Sequence, residues 1–274
     1  MNFGLIIIGD EILSGKREDK HLPKVIELLG ARGLALSWAR YVGDDPQRIT
    51  ADLKDAFASG DAVFSCGGIG ATPDDHTRQC AAKALGRPLV LHPEARDLIL
   101  DRMRDLAKER GVPYEPDRDD NRHRLNMGVF PEGAGIIPNP YNKIAGFSIR
   151  SPGLTAPAGP GVFFVPGFPV MAWPMIEWAL DTHFGDLRRE PALSEKSVIV
   201  FGAMEAALTP LMEAIEARFE GIKVFSLPSV DHPQWGRHIE LGVKGRVDLL
   251  DAAYAVLRAG LASHDAELGP ELVR

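Results

Sequence analysis

Residues Ser65–Arg78 read SCGGIGATPDDHTR, with three glycines in four positions. The apolar run Asp61–Cys66 before them predicts a buried strand, and the alanine-rich run Asp75–Leu85 after them predicts a helix that ends at Gly86. Glycine allows a tight turn in which backbone N–H groups approach a ligand, and a helix N-terminus favours an anion. The segment therefore predicts an anion-binding loop. On its own, a purely structural turn with an aspartate cap is an equally good interpretation.

Two common phosphate motifs are absent from this segment. Its spacing is G-G-x-G, which differs from the dinucleotide-binding pattern G-x-G-x-x-G, and the chain contains no P-loop ending in GK[ST]. The function of the loop must therefore be inferred from the residues that surround it.

The first half of the chain alternates between strand and helix patterns. Strands are predicted at Gly4–Ile8 and Leu34–Val42, because these runs are short and largely apolar or alternating. Helices are predicted at Leu22–Leu29 and from Asp45, where apolar residues follow helical spacing. Strands separated by helices of this length require crossover connections, so the sequence predicts a mainly parallel α/β sheet.

The rest of the first domain is less regular. A long charged helix is predicted at His92–Arg110, a strand at Gly161–Val165 and a helix at Met171–Leu180. The intervening stretch Gly111–Pro160 is dense in Pro, Gly and Asn. A segment of that length within a compact domain is typical of binding loops or short hairpins.

The chain turns polar around Arg188–Ser194, where we place a domain boundary. The predicted first domain covers residues 1–187, and a small α+β domain covers 188–274. Its predicted elements are a strand at Val198–Phe201, a helix at Glu205–Phe219, strands at Val224–Leu227 and His238–Val243, and a helix at Leu249–Leu261.

Composition narrows the class of protein. The 274 residues include 31 Lys+Arg and 38 Asp+Glu, for a formal net charge of −7, which argues against a protein whose main partner is nucleic acid. The two cysteines, Cys66 and Cys80, are too few for a disulfide framework and favour a reduced, cytoplasmic location. No run reaches the roughly 18 apolar residues of a membrane span, so no membrane association is predicted.

Acidic residues follow each of the first three predicted strands, in the pairs Asp10–Glu11, Asp44–Asp45 and Asp74–Asp75. The carboxyl ends of parallel strands share one edge of a sheet, so these side chains can lie close together. The alternative is that each aspartate caps the helix that follows it. Carboxylates around an anion-binding loop would repel a phosphate, and a divalent cation bridging the two removes that conflict. The pattern predicts a metal-assisted site for a nucleotide or another phosphorylated molecule.

Several motifs resemble the molybdopterin-binding fold of molybdenum-cofactor biosynthesis proteins, and in particular the N-terminal region of the CinA family. They are GDEILSG near the start, VGDD, GGIGATPDDHTR, Asn121-Arg122, PEGAGIIPNP, Ala145-Gly146-Phe147 and VPGFP. The similarity covers residues 3 to 182, and the small C-terminal domain resembles the middle domain of CinA proteins. The amidohydrolase domain that ends full-length CinA proteins has no counterpart in this sequence, so deamidation is not expected.

The resemblance implies a three-layer α/β/α domain that is often a homo-oligomer. One branch of the family binds molybdopterin or an adenylated pterin, and the CinA branch cleaves the diphosphate bridge of ADP-ribose with a divalent metal such as Mg²⁺. By motif, Asp44 and Asp75 match functional aspartates and are the expected catalytic residues, while Asp10, Glu11 and Asp75 are the expected metal ligands. The expected ligand-binding residues are Gly67, Gly68, Gly70, Thr72, Thr77, Asn139 and Gly146.

The chain also departs from the family pattern. His21 stands where the family usually has Asn, and Ala71 stands where proline is usual in the glycine loop. The stretch NPYNKIAGF replaces a pattern closer to NPVGTAPGF, and Val170-Met171 replaces a polar pair. Lys143, in the altered loop, could contact a phosphate or simply be solvated. These departures bear on the ligand more than on the fold.

Three functional hypotheses follow. The leading one is a metal-assisted hydrolase of a nucleotide diphosphate bridge, of the ADP-ribose pyrophosphatase type. The alternative is a protein that binds molybdopterin or a related pterin nucleotide without chemistry. A third is an assembly subunit with a vestigial site, which would bind neither ligand.

Overall fold

The computed structural model describes residues 1–150, 159–187, 193–264 and 266–273. The chain divides into two compact units, Met1–Arg188 and Arg189–Arg274. Most of the predicted boundary at Arg188–Ser194 falls on residues 188–192, which lie outside the described residues.

The first unit alternates strands and helices in its first third and becomes irregular later. Its elements are β1 (Phe3–Ile8), α1 (Asp10–Leu13), α2 (His21–Gly30), β2 (Leu36–Val42), α3 (Pro46–Ala58), β3 (Ala62–Cys66), α4 (Thr77–Leu85), β4 (Leu89–Leu91), α5 (Pro93–Arg110), α6 (Asp119–Leu125), β5 (Val129–Pro131), β6 (Gly135–Ile137), β7 (Gly146–Arg150), β8 (Gly161–Val165) and α7 (Pro169–Phe184). Short 3-10 turns follow α6 at Asn126–Gly128 and α7 at Gly185–Leu187.

These strands form a six-stranded sheet in the order β2-β1-β3-β8-β7-β6. The strands β2, β1, β3 and β8 run parallel, whereas β7 is antiparallel to β8 and β6 is antiparallel to β7. The predicted mainly parallel sheet is confirmed. Because four parallel strands are adjacent, their carboxyl ends form one continuous edge.

Helices cover both faces of this sheet, as the alternation of side chains in β1 shows. Leu5 and Ile7 point to one face and pack in a core with residues of α2 and α7. Ile6 and Ile8 point to the other face and pack in a core with residues of α3, α4 and α5. All four side chains are at most 5% exposed, which explains why β1 is continuously apolar. The predicted three-layer α/β/α architecture is confirmed.

Where it is described, the irregular stretch predicted at Gly111–Pro160 contains the short helix α6, the strand β5 and the hairpin β6–β7, which extends the main sheet. β5 pairs in a separate antiparallel ribbon with β4, which precedes this stretch. Residues 151–158 of this stretch lie outside the described residues. The helix predicted from Asp75 begins instead at Thr77, because Asp75 closes a turn of the preceding loop.

The second unit is an antiparallel sheet packed against two helices. Its elements are β9 (Leu193–Phe201), α8 (Glu205–Arg218), β10 (Ile222–His232), β11 (Gly236–Arg246), α9 (Val247–Ala262) and β12 (Glu267–Val273), and its strand order is β10-β11-β9-β12. Strand β12, which reads ELGPELV, is not predicted from the sequence pattern, because Gly and Pro argue against a strand interior. An edge position tolerates that proline. In neither unit does a described helix have the length and apolarity of a bilayer span.

Candidate functional site

The candidate site lies at the carboxyl edge of the parallel strands. The Gly9 N–H, directly after β1, donates to the Val42 carbonyl at the end of β2 at 3.0 Å. The Gly67 N–H, directly after β3, donates to the Val165 carbonyl at the end of β8 at 3.0 Å. These bonds tie neighbouring strand ends together in pairs. The loops that follow β1, β2, β3 and β8 therefore start from one edge, as the sequence predicts.

The glycine loop after β3 turns three of its carbonyl groups towards α4. The Thr77 hydroxyl donates to the Gly67 carbonyl at 3.0 Å, and the Thr77 N–H donates to the Gly68 carbonyl at 3.0 Å. The guanidinium Nη2 of Arg78 donates to the Gly70 carbonyl at 2.5 Å. Thr77 is fully buried. Its hydroxyl therefore holds the loop in place and does not face a ligand, contrary to the role expected for it.

The N–H groups of this loop are left without protein acceptors. Among the described residues, none of the four consecutive N–H groups of residues 68–71 donates a hydrogen bond. The next helix, α4, begins at Thr77, and within the described part of the chain its N-cap residue His76 makes no capping hydrogen bond with its side chain. Free loop N–H groups near the start of a helix, where the helix dipole has its positive end, are suited to binding an anion. We name residues 68–71 the anion cradle.

Asp75 closes a tight turn at the end of this loop. Its carboxylate oxygen Oδ2 accepts from the Thr72 N–H at 2.8 Å and from the Thr72 hydroxyl, and the Asp75 N–H donates to the Thr72 carbonyl at 3.0 Å. A Cβ atom at Gly70 would lie 2.5 Å from the same Oδ2, so the turn needs glycine there. The other carboxylate oxygen, Oδ1, makes no hydrogen bond within the described chain. Asp75 and Thr72 therefore shape the cradle.

A second feature of this edge is a pair of facing carboxylates. The Asp10 N–H donates to Asp44 Oδ2 at 2.9 Å, and the Asp44 N–H donates to Asp10 Oδ1 at 3.2 Å. Both residues line a cavity of about 580 Å³. Partial burial raises the pKa of Asp44, and the negative charges of Asp10, Glu11 and Asp74 raise it further. These carboxylates therefore repel one another and would gain from a bound cation.

The expected metal ligands Asp10, Glu11 and Asp75 are not brought together. Across the described ranges, no group of three or more His, Cys, Asp or Glu side chains is placed to hold a metal ion. Glu11 lies 3.6 Å from Arg17, and Asp75 lines a different cavity, with His76 and Arg78. The structure therefore does not group this trio around one position, because Asp75 is held in the turn with Thr72. Asp10 and Asp44 are therefore the carboxylates that remain close enough together to be candidate ligands of one cation.

The expected second ligand loop is held by its own side chains. Asn139 is 4% exposed, and its amide donates to Asn142 Oδ1 at 2.8 Å and to the Ile144 carbonyl at 2.9 Å. A Cβ atom at Gly146 would lie 2.3 Å from the Phe164 carbonyl oxygen, so this glycine allows β7 to pack on β8. Both residues thus determine the shape of the loop.

Lys143, in the same loop, pairs with a carboxylate. Its ammonium lies 2.6 Å from Asp105 Oδ2, and its backbone is in the left-handed region at φ 66°. The suggested phosphate contact is therefore not what the structure shows, because the ammonium already has an acidic partner.

Two residues near this edge escaped sequence reasoning as possible site residues. His21, which stands out in the sequence only as a departure from the family pattern, is 4% exposed. Its Nε2 donates to the Gly167 carbonyl at 3.0 Å, and its buried Nδ1 has no hydrogen-bond partner among the described residues. Arg78 is 5% exposed, and its guanidinium donates to the Gly70 carbonyl of the anion cradle. The sequence does not show that either side chain is buried, because burial of a charged or polar side chain depends on the tertiary contacts around it.

Comparisons with known proteins agree with this fold. The family model described as "Probable molybdopterin binding domain" matches residues 4–185. A CinA-like protein of Geobacter sulfurreducens is 31% identical over 225 residues, covering 82% of this chain and 51% of that protein. A CinA-like protein of Citrifermentans bemidjiense is 32% identical over 215 residues, covering 78% of this chain and 47% of that protein. The chain spans about half the length of the curated relatives it matches.

The fold is also similar to that of a solved structure of a CinA protein. The protein CinA of Thermoplasma acidophilum, whose function is described as unknown, has a TM-score of 0.52 and 26% identity. The match covers 65% of this chain and 95% of that chain.

Proposed function

The chain belongs to the family of molybdopterin binding domains, in its CinA-like branch, and from this we propose that the anion cradle binds the phosphate group of a small pterin or nucleotide ligand. One observation carries the proposal: the four consecutive N–H groups of residues 68–71 have no acceptor within the described chain, while three carbonyls of the same loop are bonded to residues of α4. Unpaired N–H groups at a helix start are a common basis of phosphate binding.

The arrangement supports an anion and not a neutral ligand. Backbone N–H groups can only donate, so four of them together favour a group with several acceptor oxygens. The N-terminus of α4 adds a positive dipole end, which typically contributes about 0.3–1 kcal/mol to the binding of a negative group. A phosphate satisfies both requirements.

Calorimetric titration tests this proposal. We expect pyrophosphate, ADP-ribose and a pterin phosphate to bind at constant ionic strength, and the corresponding ligands without phosphate to bind far more weakly. If the protein binds none of the phosphorylated ligands, with or without Mg²⁺, phosphate binding by the cradle is excluded. That result would support the hypothesis of an assembly subunit with a vestigial site.

A second candidate function is hydrolysis of a diphosphate bridge, and the facing carboxylates of Asp10 and Asp44 favour it. In this reaction water adds to one phosphorus, the bond from that phosphorus to the bridging oxygen breaks, and two phosphate monoesters leave. In proteins Mg²⁺ typically takes one or two carboxylates and completes its coordination with substrate phosphate oxygens and water. Asp10 and Asp44 fit that donor set, and a cation held by them would offset the charge of the diphosphate.

The roles of this chain's residues in such a hydrolase can be separated. The anion cradle would hold the diphosphate oxygens, and Asp75 would keep the cradle closed through Thr72. Asp44 would face the ligand beside Asp10, since both line the same cavity. Oriented donors that do not reorganise during the reaction are an effective way to stabilise developing charge.

Release of AMP from ADP-ribose distinguishes the two candidates. With Mg²⁺ we expect the hydrolase to release AMP and Asp44→Asn to lose that activity while still binding pyrophosphate. Binding of ADP-ribose or a pterin phosphate without any release of AMP would identify a binding protein.

A further inference from the structure

Arg78 is a buried cation that connects two segments of the first unit. It is 5% exposed, and its Nη2 donates to the Gly70 carbonyl at 2.5 Å. Its Nη1 donates to the carbonyl of Asn126, in the turn after α6, and its buried Nε has no partner in the part of the chain that the structure describes. The anion cradle is therefore joined to a distant part of the chain through a single guanidinium.

The charge of this guanidinium is not matched by a carboxylate contact. No ion pair of Arg78 occurs among the residues that the structure describes. Burial lowers the pKa of Arg78, and the nearby charge of Asp75 acts in the opposite direction. Arg32 provides the contrast: it is 7% exposed but pairs with Asp181 at 2.9 Å and Glu177 at 3.5 Å.

The burial of Arg78 calls for a physical explanation. Charged side chains are rarely buried unless they are paired, because removing a charge from water is unfavourable. A planar guanidinium has several donors in fixed directions, so it can hold two carbonyl groups at a defined separation. Lysine, with one ammonium on a flexible chain, cannot fix both in the same way.

We propose that Arg78 is a positioning residue of the anion cradle. It holds the Gly70 carbonyl towards α4 and anchors it to the turn at Asn126, so that the N–H groups of residues 68–71 stay directed away from the helix. The proposal rests on phosphate binding by the cradle. It assigns to Arg78 an effect on the ligand that acts through the backbone and not through direct contact.

The test compares two buried arginines. Arg78→Met and Arg78→Lys remove the two-carbonyl contact, the second with the charge retained, and Arg32→Met is the matched control away from the cradle. The dissociation constant of pyrophosphate is measured by calorimetry at a temperature well below the melting temperature of every variant. We expect both Arg78 variants to bind at least about tenfold more weakly, since charge-assisted hydrogen bonds are among the stronger ones.

The control should separate positioning from general stability. We expect Arg32→Met to lower the melting temperature, because it removes a buried guanidinium that pairs with Asp181 and Glu177, and to bind pyrophosphate with the wild-type constant. Wild-type affinity in Arg78→Met would overturn the proposal. Full recovery in Arg78→Lys would also overturn it, by showing that the charge alone matters.

Failure of the underlying function gives a different result. If the wild-type protein does not bind pyrophosphate, the function proposed for the cradle fails before any variant is compared. If Arg78→Met does not fold, the comparison of Arg78→Lys with wild type decides alone: weaker binding supports the positioning role, and equal binding excludes it.

Discussion

Two neighbouring strand-to-helix connections use aspartate in opposite ways. Between β2 and α3 the connection is Gly43–Asp45, and the Asp45 carboxylate accepts from the N–H groups of Gln47 and Arg48 at 2.7 and 3.2 Å. Between β3 and α4 the connection is residues 67–76, and among the described residues the N-cap residue His76 makes no side-chain capping bond. Where an aspartate satisfies the helix N–H groups its role is structural; where the loop leaves N–H groups free, they remain available to a ligand.

The largest expected effect comes from substituting a glycine in the longer connection. Gly68 has φ 68°, and a Cβ atom there would lie 2.2 Å from the Thr77 hydroxyl oxygen. Gly68→Ala must therefore displace the side chain that holds the loop, in addition to the cost of about 1–2 kcal/mol for a left-handed non-glycine residue. We expect a loss of about 2–4 kcal/mol in the free energy of unfolding, measured by urea denaturation, together with loss of pyrophosphate binding.

Gly86→Ala is the matched control for that substitution. Gly86 ends α4 with φ 64°, but a Cβ atom there would have no other atom of the described chain within 4 Å. The variant should show only the backbone cost, about 1–2 kcal/mol, and unchanged pyrophosphate affinity. An equal loss of stability in the two variants would show that the contact with Thr77 contributes little.

Asp75→Ala tests whether the turn with Thr72 is needed for the cradle. The substitution removes the acceptor of two Thr72 hydrogen bonds, while the helix itself keeps its start at Thr77. We expect pyrophosphate binding to weaken by about tenfold and the free energy of unfolding to fall by about 1–2 kcal/mol, as for loss of hydrogen bonds to a charged group. Unchanged affinity in a folded variant would show that the cradle keeps its shape without this turn.

Asp45→Ala gives the complementary result in the shorter connection. It removes the N-cap of α3, which typically contributes about 1 kcal/mol. Asp45 lines the same cavity as Asp10 and Asp44, but among the described residues its carboxylate accepts only from the N–H groups of Gln47 and Arg48. We expect the midpoint of urea unfolding to fall accordingly and pyrophosphate affinity to stay at the wild-type value. A loss of affinity as large as that of Asp75→Ala would erase the difference between the two connections.

The sequence was sufficient to predict the layers of the first unit but not the roles of its acidic residues. The continuous apolar run of β1 and the helical spacing that follows it depend on local pattern, so they could be read directly. Asp45 and Asp75 look alike in sequence, since each precedes a helix. Only the hydrogen bonds show that one caps α3 and the other closes a turn with Thr72. The role of the buried Arg78 was missed for the same reason. Its partners are backbone carbonyl groups, and the sequence does not show where these lie in the fold.

Asp44→Asn has the smallest expected effect. It distinguishes the role of Asp44 from that of Asp45, which lies in the same connection. The raised pKa of Asp44 means that the folded protein holds this proton more tightly than the unfolded chain, whose aspartates titrate at about 3.9. Wild-type stability therefore falls as pH rises from that value through the raised folded pKa.

Asparagine at position 44 keeps an acceptor for the Asp10 N–H but cannot ionise. Measured by urea unfolding without divalent ions, the variant should match wild type near pH 4 and exceed it by about 0.5 kcal/mol near pH 7, a small difference because the site is partly solvated. Added Mg²⁺ should reverse the order by stabilising only the wild type, whereas a variant less stable than wild type at neutral pH without Mg²⁺ would contradict the repulsion between these carboxylates.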